Sequence, residues 1–108
     1  MPMARLAAGE DILSRRALFF RSLADETRLV VLQHLGASGE CSAGDIARDL
    51  SLAPSTLSFH LTTLASAGLV TKRREGRRTI YAADLETLVR HGILEPGGTV
   101  VGGQGGAA

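Results

Sequence analysis

The sequence predicts a mainly α-helical fold carrying one small β-hairpin, in the order α-α-α-α-β-β-α. Three observations lead there. Bulky apolar residues recur at helical spacing through most of residues 11–67. Aromatics make up only 4% of the chain, with no Trp, so the core must be built from Leu, Ile, Val and Ala. The stretch "LVTKRREGRRTIYAA" breaks the helical period and places a glycine turn between two short strands.

The elements follow in order. Residues 1–9 are small and weakly patterned and are expected to form a flexible arm. "DILSRRALFFRSL" spaces Ile12, Leu13, Ala17, Leu18, Phe20 and Leu23 as a first helix. In "ADETRLVVLQHLGASG", Asp25 caps a second helix whose apolar positions are Leu29, Val30, Leu32 and Leu35, with Gly36 and Gly39 ending it. "CSAGDIARDLS" is a short helix with Ser42 as N-cap and Asp45 three residues on, at the positive end of the helix dipole. Pro54 suits the first turn of the next helix, where its missing N–H would be unpaired anyway. That helix runs to about Ala67 and stops at Gly68. Val70 and Ile80 lie on strands joined through "REGR", where Gly76 supplies the positive φ of the turn. "DLETLVRHGILE" is a last helix capped by Asp84. The tail "PGGTVVGGQGGAA" has six Gly in thirteen residues and is expected to be disordered over 96–108, leaving 10–95 as one domain.

Composition narrows the function. A 44% hydrophobic, 21% charged chain of 108 residues suits one globular domain. The single Cys41 allows no intrachain disulfide, and no signal-peptide pattern or membrane-length apolar run is seen. A cytoplasmic location without membrane contact is expected. Net charge is +1, but Lys72, Arg73, Arg74, Arg77 and Arg78 against Glu75 give residues 70–81 a charge of +4, leaving −3 elsewhere. No paired-carboxylate motif, phosphate-binding glycine loop or local nucleophile–base pair points to an enzyme.

The helix beginning at Pro54 and the arginine-tipped hairpin belong together. At about 100° per residue, Leu57, Leu61 and Leu64 face inward, while Ser55, Phe59 and Thr62 lie opposite. Thr56 and Ser58 flank them, His60 falls on the border of core and surface, and the outward face has no acid. Hydroxyls can bond base edges and phosphates, and an exposed aromatic ring can pack on a thymine methyl. Arginines on the hairpin would lie beside the duplex as the helix enters the groove. Helix-turn-helix followed by a hairpin wing is a DNA-binding arrangement. The expected contacts to double-stranded DNA are Ser55, Thr56, Ser58, Phe59, His60, Thr62, Lys72, Arg73, Arg74, Arg77 and Arg78. A winged helix-turn-helix serving only protein interaction is the alternative, although it would have no need of the basic wing.

The segments "SLADETRLVVLQHL", "GDIARDLSLAPSTLSFHLTTLASAGLV" and "KRREGRRTIYAAD" resemble the ArsR/SmtB family of bacterial winged-helix regulators, over about residues 12–94. The resemblance implies a homodimer held by the first and last helices, binding an imperfect palindrome near a promoter. It also implies repression of transcription, relieved by an effector. Leu18, Phe19, Leu88 and Ile93 are the expected dimer contacts. Many members carry "ELCVCDL" in the third helix, with paired cysteines for arsenic, lead or cadmium. Here "ECSAGDI" puts Ser42 and Gly44 at those positions and Cys41 at the neighbouring apolar one. Some members with a similar "TLSFHL" helix bind arsenic instead through paired cysteines near the C-terminus, and "GILEPGG" has none. A three-thiolate arsenic site within one chain is excluded. On the last helix Asp84, His91 and Glu95 share a face, and the resemblance implies that such carboxylates and histidines can build a nickel or zinc site across the dimer. A metal-independent regulator is the other reading.

Overall fold

A computed structural model describes residues 7–102, with side chains from Asp11 onward. Helix α1 (Ala7–Leu23) starts inside the segment expected to be a flexible arm; residues 1–6 of that arm lie outside the described residues. Helix α2 (Glu26–Ser38) is capped by Asp25, whose Oδ1 accepts from the Arg28 N–H at 3.0 Å. Its end is set by Gly39 alone, with φ 79°, while Gly36 stays within the helix. Val31, Leu32 and Leu35 are its buried residues, whereas Val30, expected inside, is 42% exposed. Val31 lies four residues before Leu35 and so wins the inward stripe.

A two-residue strand not anticipated from sequence, β1 (Cys41–Ser42), leads into α3 (Ala43–Leu50). Ser42 Oγ accepts from the Asp45 N–H at 3.1 Å, the expected N-cap. Ser51 closes α3 in the left-handed region (φ 55°), and the turn leads to α4 (Pro54–Ser66). Strands β2 (Val70–Glu75) and β3 (Arg78–Ala83) form the hairpin, with Glu75 opposite Arg78 and Gly76 at φ 65° in the two-residue turn. A positive φ at the first central position suits the right-handed twist of the strands. β1 adds antiparallel to the other edge of β3, pairing Cys41 with Tyr81 and Ser42 with Ile80, so the sheet order is β1-β3-β2. Helix α5 (Leu85–Arg90) follows, with Asp84 accepting from the Thr87 N–H at 3.2 Å.

The core gathers Val31, Leu32 and Leu35 from α2, Ile46 from α3, Leu57, Leu61 and Leu64 from α4, and Leu88 from α5. Leu94 joins it from beyond the last helix. There the expectation of disorder fails for residues 96–102. Leu94 pairs with Val100 in an antiparallel bridge, Val101 N–H donates to Ile93 O at 2.9 Å, and Val100 N–H donates to Gln33 Oε1 at 3.2 Å. Glycine is what makes this possible. A Cβ on Gly98 would fall 2.5 Å from the backbone of Gly36, so both residues must lack one for the segment to seat on α2. Residues 103–108 lie outside the described residues.

Candidate nucleic-acid interface

The α4 face is built by its own period. Leu57, Leu61 and Leu64 are at most 1% exposed, which turns Ser55, Thr56, Ser58 and Thr62 to solvent and leaves Phe59 64% exposed. Its ring meets the edge of His60 at 5.4 Å, and the rest of it stands open among the hydroxyls. A cleft of about 180 Å³ is lined by Pro54, Leu57, Ser58 and Leu61 of α4 and by Tyr81 of β3, with Ala43, Gly44 and Ala47 of α3. The start of α4 and the wing strand thus border one depression.

His60 is the member of the expected DNA set that the structure turns away from that face. It is 8% exposed, and its Nδ1 accepts from Arg28 NH1 at 3.0 Å. Arg28 Nε in turn donates to the Ser22 carbonyl at 2.7 Å. One guanidinium therefore ties the end of α1 and the start of α2 to the back of α4. Sequence reasoning missed Arg28, which sits in a run of polar residues with no local sign of a partner 32 positions away. The border position of His60 was the available hint.

The wing arginines divide into two groups. Arg73 grips Glu40 with NH2 at 2.7 Å and Nε at 3.3 Å, and its NH1 reaches Glu75 at 3.1 Å. The Arg73 hydrogen bonds hold the Glu40 carboxyl below the usual range, and donating to Glu40 and Glu75 raises the guanidinium further. Arg78 NH2 lies 3.2 Å from Asp45 Oδ2. The Ser42 hydroxyl, ahead of Arg48 and Arg78, holds the Asp45 carboxyl low. Glu40 and Asp45 reduce the local charge of +4 to +2, a correction invisible to a count along the chain because β1–β3 pairing brings these acids to the wing. Arg74 donates to Thr79 Oγ1 at 3.3 Å and to the Gly76 carbonyl at 3.4 Å. Among the described residues Lys72, Arg74 and Arg77 have no carboxylate partner.

A helix-turn-helix domain model matches residues 23–73. An uncharacterized HTH-type transcriptional regulator of Bacillus subtilis is 38% identical over 83 residues, covering 74% of this chain and 83% of its own. The arsenical resistance operon repressor of the same bacterium is 31% identical over 84 residues, 78% of each chain. The chain spans 58% to 63% of several other curated relatives. A solution structure from Mycobacterium bovis has a TM-score of 0.70 at 35% identity, covering 77% of this chain and 76% of that one. It is described as a homodimeric winged helix-turn-helix DNA-binding domain and a possible ArsR-family transcriptional regulator. This chain belongs to the ArsR/SmtB family.

Its members in these comparisons are transcriptional regulators, not enzymes, and this ArsR-family chain is a DNA-binding transcriptional regulator of the same type. No helix among the described residues is long and apolar enough to cross a membrane.

The residues expected to hold a metal do not come together within the chain. Gly92, at φ 72°, ends α5 before Glu95, so the shared helical face does not extend that far. Asp84 spends its carboxylate on Thr87, accepting from the N–H at 3.2 Å and from Oγ1 at 2.9 Å. His91 Nδ1 donates to the Thr87 carbonyl at 2.9 Å, and its ring lies against Phe19 at 4.7 Å. These are structural duties within one chain. Among the described residues, the donors that do converge are His34, Cys41 and Asp49, from α2, β1 and α3. Their separation of seven and eight residues carries no ligand signature in sequence.

Of the expected dimer contacts, Leu18, Phe19 and Ile93 are half-buried, but Leu88 is fully buried in its own core and has no surface to offer. Ile12, Leu13 and Phe20 of α1 are each more than half exposed.

Proposed function

We propose that the chain is a homodimeric transcriptional repressor that binds an imperfect palindrome in a promoter and acts in the cytoplasm. The observation that carries this reading is the outward face of α4: hydroxyls around an exposed Phe59, no acid, bordering the wing. Ser55, Thr56, Phe59 and Thr62 are positioned to meet base edges, and Ser58 a phosphate. Lys72, Arg74 and Arg77 supply the wing's available positive charge, with Arg73 and Arg78 joining by exchanging a carboxylate for a phosphate. His60 supports α4 from behind and makes no DNA contact in this reading. The homodimeric description of the Mycobacterium bovis domain and the apolar α1 face support the two-fold form. The likeness to the arsenical resistance operon repressor of Bacillus subtilis supports repression. Arsenic itself is not carried over, since one cysteine cannot supply three thiolates. Nor is a metal response assigned to Asp84, His91 and Glu95.

Footprinting of the protein on the promoter region of its own gene tests the proposal. Two protected half-sites about one helical turn apart are expected. Phe59→Ala and Thr62→Ala should abolish the footprint while leaving weak, salt-sensitive binding to random DNA. No protection at any concentration, with the fold intact by circular dichroism, would assign the domain to protein interaction instead.

A further inference from the structure

We propose that His34, Cys41 and Asp49 form a zinc-class divalent metal site within each chain, stitching α2, β1 and α3 together. One donor atom from each residue lies within 4.8 Å of the other two. The set is imidazole, thiol and carboxylate, the mixture that zinc takes in tetrahedral sites and that hard cations such as magnesium avoid.

Two details point to a ligand rather than to a chance cluster. His34 Nε2 is shielded from solvent and has no hydrogen-bond partner among the described residues, an unmet need of the kind native proteins rarely leave. Asp49 Oδ2 stands 3.3 Å from it as an ion-pair neighbour, but without hydrogen-bond alignment. Two ligands at zinc distances of about 2.0–2.1 Å and tetrahedral angles stand about 3.3–3.4 Å apart. That edge of the coordination polyhedron is therefore already set. The thiol needs only to close in.

The surroundings suit the assignment. Arg48 NH2 reaches the other oxygen of Asp49 at 3.4 Å, leaving Oδ2 to face the ring. Cys41 is held in place by β1 pairing with Tyr81. Asp49 has 39% of its side chain exposed, so water can enter and fill the fourth position. The site is separate from the paired-cysteine positions of the third helix, occupied here by Ser42 and Gly44, and from the α5 residues already committed elsewhere.

The full-length reduced protein, stripped of metal, is titrated with zinc against a chromophoric chelator and separately with cobalt. One equivalent per chain is expected, with a thiolate-to-cobalt charge-transfer band in the near ultraviolet. Cys41→Ser should erase that band, and His34→Ala or Asp49→Asn should each weaken zinc by about tenfold or more. Asp84→Asn with His91→Gln should change neither result. Zinc should raise the melting temperature of the wild type but not of Cys41→Ser. Should Cys41→Ser fold poorly, the exposed Asp49→Asn and the wild-type cobalt spectrum decide. No stoichiometric binding, a cobalt spectrum without thiolate character, or affinity unchanged in Asp49→Asn would overturn the site. None of these readouts involves DNA, so their failure leaves the repressor reading intact.

Discussion

Asp25 shows how one side chain can hold an element entrance. Its carboxylate accepts from the Arg28 N–H, and that bond, ahead of the charge of Arg28, holds its pKa below the ordinary 3.8. A depressed carboxylate contributes stability above its unfolded pKa and loses it as pH falls through the lower folded value. Asp25→Ala should therefore cost about 1 kcal/mol in urea unfolding at neutral pH, and Asp25→Asn much less. The gap between wild type and Asp25→Ala should close toward pH 2; an undiminished gap there would mean the loss is not the cap. Asp25, Ser42 and Asp84 were all legible as caps because capping is written in residues three apart. His60 and Arg28 were not. Their bond spans 32 positions, and no local pattern records which polar residue on a helix border will find a buried partner. The cluster of His34, Cys41 and Asp49 was hidden for the same reason.

At the scale of elements, the helices were legible because their buried faces repeat, and the hairpin because Gly76 announces its turn. β1 was not, being two residues long and formed only by pairing with β3. That small strand rewrites the electrostatics of the wing by delivering Glu40 to Arg73 and, just beyond it, Asp45 to Arg78. The wing's unpaired cations should then dominate phosphate binding. Arg77→Ala should lower operator affinity and flatten the dependence of log K on log salt by about one unit. Arg73→Ala should do less, and Glu40→Gln should raise affinity by freeing Arg73, all by fluorescence anisotropy across a salt series. Equal losses for Arg73→Ala and Arg77→Ala would show that the carboxylates give way without cost. The C-terminal segment was misjudged for a different reason. Glycine richness indicates a flexible chain when nothing receives it, but here Gly36 opens a seat on α2 and Gly98 fills it. Gly98→Ala meets both the positive φ of 92° and the 2.5 Å approach. It should unseat the segment, accelerating amide exchange at Val100 and Val101 while leaving α4 protected. Unchanged exchange there would mean the seating contributes no order.

The whole molecule is less closed than its length allows. Its radius of gyration is 15.4 Å, against about 13 Å for a compact chain of this size. On α1, Leu13, Ala17 and Phe20 follow i, i+4, i+7 and form one apolar stripe, with Leu13 and Phe20 both more than half exposed. Phe19 turns the other way, half-buried against the core with its ring tilted against His91 at the end of α5. The sequence marked α1 as apolar but could not say which side met its own core, since both sides carry large residues. A dimer formed on the outer stripe would remove it from water, and two-fold pairing would offer one α4 helix to each half of a palindrome. Phe20→Glu should therefore leave the helical content of each chain intact and shift the protein from dimer to monomer in sedimentation equilibrium. It should also weaken operator binding at least tenfold, because each half-site would then have to be held alone. Leu88→Glu, inside the chain's own core, should instead unfold the protomer. If Phe20→Glu remains dimeric with full operator affinity, the two-fold contact lies elsewhere on the molecule and the outer stripe of α1 has no part in it.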